Sequence, residues 1–382
     1  MWSKCFGWIG MCAISFTAIA IPNADLISNL EKRLHHSPKG GKLIKSFAEH
    51  SQSYVYDQAL AIIAFTKHGD QKNARALLEG LKNLQHKDGS LYFSYYMNAE
   101  SPYPVEGDKR YAGAIAWVAM AAVTYQKEFK TKEFVPFNYK ILNYLTTQMK
   151  PIEVGGKQTF AIAFGPSDIK ETKWQENETV ALEHNLDAYS AFSKFTEINH
   201  QPKWDKHVTH LHDFIIGMWD NSRSHFWSGA NTKTGQINKQ ELYLDNQTWS
   251  LLALDAKTVR KLSAKDALEL NCDNFLVEHE GVKGFMDSRP TRRPASTQFV
   301  WSEGTAGQIL AMKKYNELHN DKISCQKTEA HGFLKNIKKM KKEDGGIAYA
   351  TTTTNPDFTN SSSVAGTAWY YFAANNINPF DL

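Results

Sequence analysis

The sequence lacks the short signatures that mark several enzyme classes. No H-E-x-x-H, G-x-x-x-x-G-K-[ST], G-x-G-x-x-G or G-x-S-x-G occurs in its 382 residues. Those patterns fix a zinc ion, a nucleotide phosphate, a dinucleotide or an activated serine on a local scaffold. Their absence argues against a zinc peptidase, an NTPase, a dinucleotide enzyme and the common serine esterase. Charge of one sign is also missing. The 44 basic and 40 acidic residues leave a net charge of +4, too mild to point to nucleic acid, and no Lys/Arg block sits beside an aromatic platform. Cysteine is scarce, and neither Cys272 nor Cys325 stands in a C-x-x-C or metal-ligand spacing. No long stretch alternates with period two, so strands are minor. Beyond the first segment no run is apolar enough to cross a membrane.

What is present begins with a targeting pattern. Lys4 gives a positive start, Cys5 to Ile21 is apolar or small, and Ala18-Ile19-Ala20 is an A-x-A site. This layout predicts a secretory signal peptide over residues 1–20, cleaved after Ala20, or else after Ala24. The alternative is an N-terminal membrane anchor, but Pro22, Asn23 and Asp25 end the apolar run abruptly. The expectation is a secreted or periplasmic protein, off the membrane once cleaved. Its mature part, 21–382, is read as a single domain. Cleavage removes Cys5 and Cys12. In an exported chain Cys272 and Cys325 either form one disulfide or remain two buried thiols on different helices. The remaining composition, 42% apolar and 22% charged, suits a folded core.

Helical periodicity alternates with polar, Gly-containing loops throughout. It predicts twelve helices, near 25–35, 53–68, 71–86, 112–129, 136–149, 180–198, 203–218, 243–255, 263–275, 302–320, 326–341 and 361–376. Asp70 and Ser263 read as N-caps. One large apolar or aromatic position recurs at Leu60, Trp117, Tyr189, Trp249, Ile309 and Trp369, and its last three spacings are 60 residues each. A unit of that size is a helical hairpin plus a loop. Six such units, with one helix at each terminus sharing the last, predict an all-α closed ring of inner and outer helices.

The chain resembles the six-hairpin glycosidase-like superfamily, an (α/α)6 toroid. The likeness is carried by Tyr56-Asp57-Gln58-Ala59-Leu60, Asp88-Gly89-Ser90, Glu183-His184-Asn185-Leu186-Asp187-Ala188-Tyr189, Leu244-Asp245-Asn246-Gln247-Thr248-Trp249, Trp301-Ser302-Glu303-Gly304-Thr305 and Asp344-Gly345-Gly346. It spans about residues 25 to 376. The resemblance implies carbohydrate chemistry: glycoside hydrolases, unsaturated-uronide hydrolases, some polysaccharide lyases and sugar epimerases.

The repeat supplies candidates of its own. Loops before the inner helices of a ring gather at one mouth. Counted back from the repeated position, Glu183 and Glu303 share one height, Asn185 and Asp245 the next, and Asp187 lies just below. Asp57 opens the first inner helix. A glycosidase needs a protonated acid and a second carboxylate acting as base or nucleophile. Helix capping is the competing explanation for each of these carboxylates. The candidates rank Glu303, Asp245, Asp187, Asp57, Glu183, with Glu303 as acid and Asp245 as its partner. Tyr56, His184, Asn185, Trp249, Arg292 and Trp301 are candidate substrate contacts: aromatic rings stack on sugar faces, and an arginine pairs a uronate. The Asp88 and Asp344 segments read either as plain turns or as an aromatic rim around the mouth. His207, His210 and His212 share no metal-binding face. No cofactor is implied, and the expected partner is a poly- or oligosaccharide. The leading reading is a glycoside hydrolase. The alternatives are a lyase or epimerase on the same scaffold, and a non-catalytic glycan-binding protein.

Overall fold

The computed structural model describes residues 23–97, 102–166, 178–289, 297–353 and 357–381. The expected signal segment and Arg292 therefore lie outside the described residues. Thirteen α-helices are present among those described. They are α1 (Ala24–Lys32), α2 (Val55–His68), α3 (Gln71–Leu84), α4 (Ala112–Phe129), α5 (Val135–Thr147), α6 (Leu182–Asn199), α7 (Asp205–Gly217), α8 (Leu244–Ala253), α9 (Ala256–Lys261), α10 (Ala264–Phe275), α11 (Ser302–His319), α12 (Ala330–Lys338) and α13 (Val364–Asn375).

Six of these close a ring. Helix α2 packs on α4, α4 on α6, α6 on α8, α8 on α11, α11 on α13, and α13 back on α2. Around them lies an outer layer: α3, α5, α7, α10 and α12 each pack on the inner helix that precedes them, and α1 packs on α13 and α2. The sixth hairpin thus joins the last helix to the first. This is the (α/α)6 toroid.

The two layers differ in sequence because they differ in surroundings. An inner helix has neighbours on every side, so α4 is buried from Ala112 through Gln126 without a break. Its many alanines let adjacent inner helices approach closely. An outer helix buries one stripe. In α3 that stripe is Ala74, Leu77, Leu78, Leu81 and Leu84. The turn between α2 and α3 is as expected: Gly69 takes φ of 84° at the C-cap, and Asp70 accepts from the Asn73 N–H at 3.0 Å.

Several local expectations are corrected. The short helix α9 was not foreseen. Helix α5 stops at Thr147, and the chain enters an antiparallel hairpin, Met149–Val154 with Lys157–Ile162. Ser263 stands at the start of α10 without a side-chain cap bond. The two acidic turns are turns. Asp88 accepts from the Ser90 N–H and hydroxyl, and the Asp344 carboxylate pairs with Arg33 at 3.0 Å. The cysteine alternatives resolve to a bridge, with Cys272 of α10 joined to Cys325.

Candidate active site

Each inner helix is entered from an extended residue: Tyr54, Tyr111, Ala181, Tyr243, Trp301 and Ser363. The same geometry repeated around a ring brings all six helix starts to one face. A cavity of about 660 Å³ opens there, and Asp57, Glu183, Asp187, Asp245 and Glu303 all line it. Tyr56, His184, Trp249 and Trp301 line it too. None of the five occupies an N-cap position, although Asp57, Glu183, Asp245 and Glu303 stand in first turns, where the helix dipole also favours them.

Asn185 does not join them. Its side chain is wholly buried and bonds the Ile162 N–H at 2.7 Å and the Ile162 and Ala181 carbonyls. Two residues from both Glu183 and Asp187, it is turned about half a turn away from them, and it ties the neighbouring hairpin to α6. Asp57 reaches the cavity but is also engaged by the scaffold: the Ser46 hydroxyl, the Ala365 N–H and the Arg33 charge all favour its ionised form. Burial outweighs them and lifts its pKa to about 7.

Three of the six repeated positions, Trp117, Trp249 and Trp369, build the floor, whereas Tyr189 packs on His212 of the outer helix α7. Trp249 stacks on Trp369 with ring centroids 5.6 Å apart and planes 8° apart, and Trp117 meets both edge-on. Trp249 is 3% exposed, so it works as floor rather than as an open stacking face. Phe380 packs against Trp117 and Trp249. The buried Lys194 ammonium holds that chain end through the Pro379 and Asp381 carbonyls, both at 2.7 Å. Trp301 lies in the wall beside Tyr349. Trp117 and Trp369 are site residues that the sequence reading did not assign, while Tyr349 and Phe93, which line the cavity, belong to the segments it read as turns or an aromatic rim. The repeat had marked the first two as equivalent to Trp249, and that equivalence was the available signal.

Glu303 has the most defined environment. The Trp369 indole N–H donates to the Tyr56 hydroxyl oxygen at 2.7 Å, and the Tyr56 hydroxyl donates to Glu303 Oε1 at 2.5 Å. With its acceptor side occupied by the indole, Tyr56 is oriented to donate. Oε1 is then an acceptor, and the acid proton of Glu303 belongs on Oε2. Burial pushes the Glu303 pKa up to about 8, against the lowering effect of the Tyr56 bond, with Asp57 and Asp245 adding repulsion. Burial also lifts Asp245 to about 7, while the Asn246 N–H, 2.7 Å away, favours its charge. Burial raises Glu183 and Asp187 well above the ordinary carboxylate range, and the other carboxylates reinforce this.

Burial pushes the His184 imidazole down to about 4, so it is neutral at physiological pH. It packs against Phe164 with centroids 4.1 Å apart. Asp187 Oδ1, His184 Nδ1 and Trp249 Nε1 are buried with no hydrogen-bond partner among the described residues. Unpaired polar atoms around a cavity are what a hydroxyl-rich ligand would satisfy. The site therefore has protonated carboxyls, one oriented acid, aromatic walls and spare hydrogen-bonding capacity. His207, His210 and His212 are elsewhere, packing separately on Phe192, Phe160 and Tyr189.

No family model matches this chain, and no curated protein matches it in sequence. Solved structures do share its fold. A D-mannose isomerase, 14% identical, aligns over 94% of this chain and 95% of that one with a TM-score of 0.69. A sugar epimerase from a ruminal bacterium, 12% identical, aligns over 93% and 99% with a TM-score of 0.64. The GH76 alpha-mannanase of Bacteroides thetaiotaomicron, 15% identical, aligns over 92% and 94% with a TM-score of 0.63. This chain shares the fold of all three.

Proposed function

We propose that this chain is an exported glycoside hydrolase acting on a poly- or oligosaccharide. The observation that supports it is the convergence of carboxylates from α2, α6, α8 and α11 on one cavity, with Glu303 oriented by Tyr56. Glu303 acts as general acid: its Oε2 proton passes to the glycosidic oxygen as the bond to the sugar carbon breaks. Asp245, at the start of α8 and bonded by the Asn246 N–H, acts from the opposite face, either as the base that takes a proton from the water attacking that carbon or as the nucleophile that bonds the carbon until water, deprotonated by Glu303, releases the sugar. Raised pKa values serve this division, since the acid must keep its proton at working pH. Asp187 and Glu183 hold sugar hydroxyls.

The test is reducing-end release from a panel of neutral glycans by the mature chain and two variants. Glu303→Gln and Asp245→Asn should each lower the rate by about 10²–10⁴ while keeping the fold. Full activity in either variant would refute its assigned role. The same reading expects secreted protein to begin at Ile21 or Asp25, and N-terminal sequencing that finds Met1 would favour an anchor instead.

A second reading, a sugar isomerase or epimerase, is favoured by one feature. His184 lines the cavity near Asp187 and is neutral, so its imidazole is available to take a proton from a sugar carbon and return it. Product analysis separates the two: isomerisation changes the sugar without lengthening the list of reducing ends.

A further inference from the structure

A second cavity, of about 970 Å³, shares Phe164, Glu183 and Asp245 with the first. One wall is the strand pair Thr179–Ala181 with Gly229–Asn231. The segment from Gly235 to Glu241 folds back along the Gly229–Asn231 strand, Ile237 bridging Ala230 and the Asn238 N–H bonding the Gly229 carbonyl, and extends the wall; Asn246 also lines the cavity. Two polar atoms in it lack partners. Ser228 is 8% exposed and Asn246 is 3% exposed, and both Ser228 Oγ and Asn246 Oδ1 are without a hydrogen bond among the described residues. A buried, unpaired acceptor costs about 1–3 kcal/mol, so a ligand that donates to it is favoured. Asn246 Oδ1 accepts from a hydroxyl, and Ser228 Oγ accepts or donates. Both are uncharged and fit a hydroxyl-bearing ligand, and the charged side chains Lys239 and Glu241 that also line this cavity bring one charge of each sign.

We propose that this second cavity binds neutral sugar units of the same chain that enters the first, so that the bond broken is internal to that chain. The proposal rests on the hydrolase reading above. Glu183 and Asp245 stand at the junction, so a glycan running from one cavity to the other passes directly over the carboxylates. A substrate that ended in the first cavity would leave Ser228 and Asn246 unpaired.

The test uses the mature chain carrying Glu303→Gln, which binds without turnover. Two labelled neutral ladders, manno-oligosaccharides and cello-oligosaccharides from disaccharide to octasaccharide, serve as probes. Affinity for one ladder should strengthen at least tenfold once the oligosaccharide outgrows the first cavity. Adding Asn246→Ala should remove most of that gain. Adding Gln236→Trp, which fills the cavity from an exposed rim position and so spares the core, should flatten the length dependence altogether. The unaltered chain should first release mixed oligosaccharides rather than monosaccharide. A length dependence unchanged by both variants, or release of monosaccharide alone, overturns the second site and leaves the hydrolase reading standing. Failure of every ladder member to bind, with no hydrolysis by the unaltered chain, overturns both.

Discussion

Glu303 is the residue whose environment makes the sharpest demands. It has to keep a proton that burial favours, next to a tyrosine whose bond favours losing it. With Asp245 ionising around pH 7 and Glu303 holding its proton to about 8, kcat/KM should peak in a narrow band between those values and fall on both sides. Tyr56→Phe removes the donor that stabilises ionised Glu303. The alkaline limb should then move to higher pH, a shift that loss of packing alone would not produce. A limb that stays in place would show that Tyr56 does not act on Glu303. Stability follows the same carboxyls. Unfolded, Glu303 titrates near its ordinary 4.5 and the aspartates near 3.8. From there to about pH 8 the folded state holds more protons, so stability falls as pH rises. The melting temperature should decline between pH 5 and 8, and Glu303→Gln should flatten part of the decline. These carboxylates were legible because four of them open inner helices and Asp187 follows one turn below Glu183. Asn185 sat at the same height as Asp245 and was misread. Height along a helix is set by sequence, but which way a side chain turns also depends on the neighbours, here the backbone of Ile162.

At the scale of elements, the periodic signal carried the long helices well. All twelve expected segments are present, because the inner helices share a repeated spacing and outer ones such as α3 show a clear apolar stripe. The misses are short. Helix α9 has six residues, too few for a period to register. The hairpin after α5 alternates exposed and buried positions only in part, since Lys150 and Pro151 break the pattern. The bridge between Cys272 and Cys325 was beyond sequence reasoning, because no spacing rule tells a pair from two thiols. It closes a loop across 53 residues and ties α10 to the segment that follows α11. In the chain-entropy account such a loop contributes about 4 kcal/mol, with measured values often lower. Cys272→Ser should therefore lower the denaturation midpoint clearly, and reductant should do the same to the unaltered chain. An unchanged midpoint in both would mean the bridge adds no stability.

For the molecule as a whole, the defining event is closure of the ring, and sequence predicted its existence but not its fastening. The sixth hairpin pairs α1 with α13, so helices far apart along the chain must find each other. Arg33, just past α1, is the fastener. Its guanidinium donates to the Ser362 carbonyl at 3.0 Å and to Asp344 at 3.0 Å, and it also reaches the Ser362 hydroxyl. These partners lie 329 and 311 residues away along the chain, which is why no local pattern revealed them. The Arg33 side chain is 6% exposed and that of Asp344 is 37% exposed. The pair is therefore only half desolvated, and its worth is mainly in the carbonyl and hydroxyl it satisfies. Arg33→Met keeps much of the volume but leaves the Ser362 carbonyl without its side-chain donor, at about 2–4 kcal/mol. Arg33 also lowers the Asp57 pKa, so its loss should raise that pKa further and loosen the cavity wall that Asp57 shares. The variant should unfold at lower denaturant in a single transition, since the closed ring shares one core. A separate early transition confined to α1, with the remainder as stable as before, would mean that the other five hairpins hold the toroid without this closure.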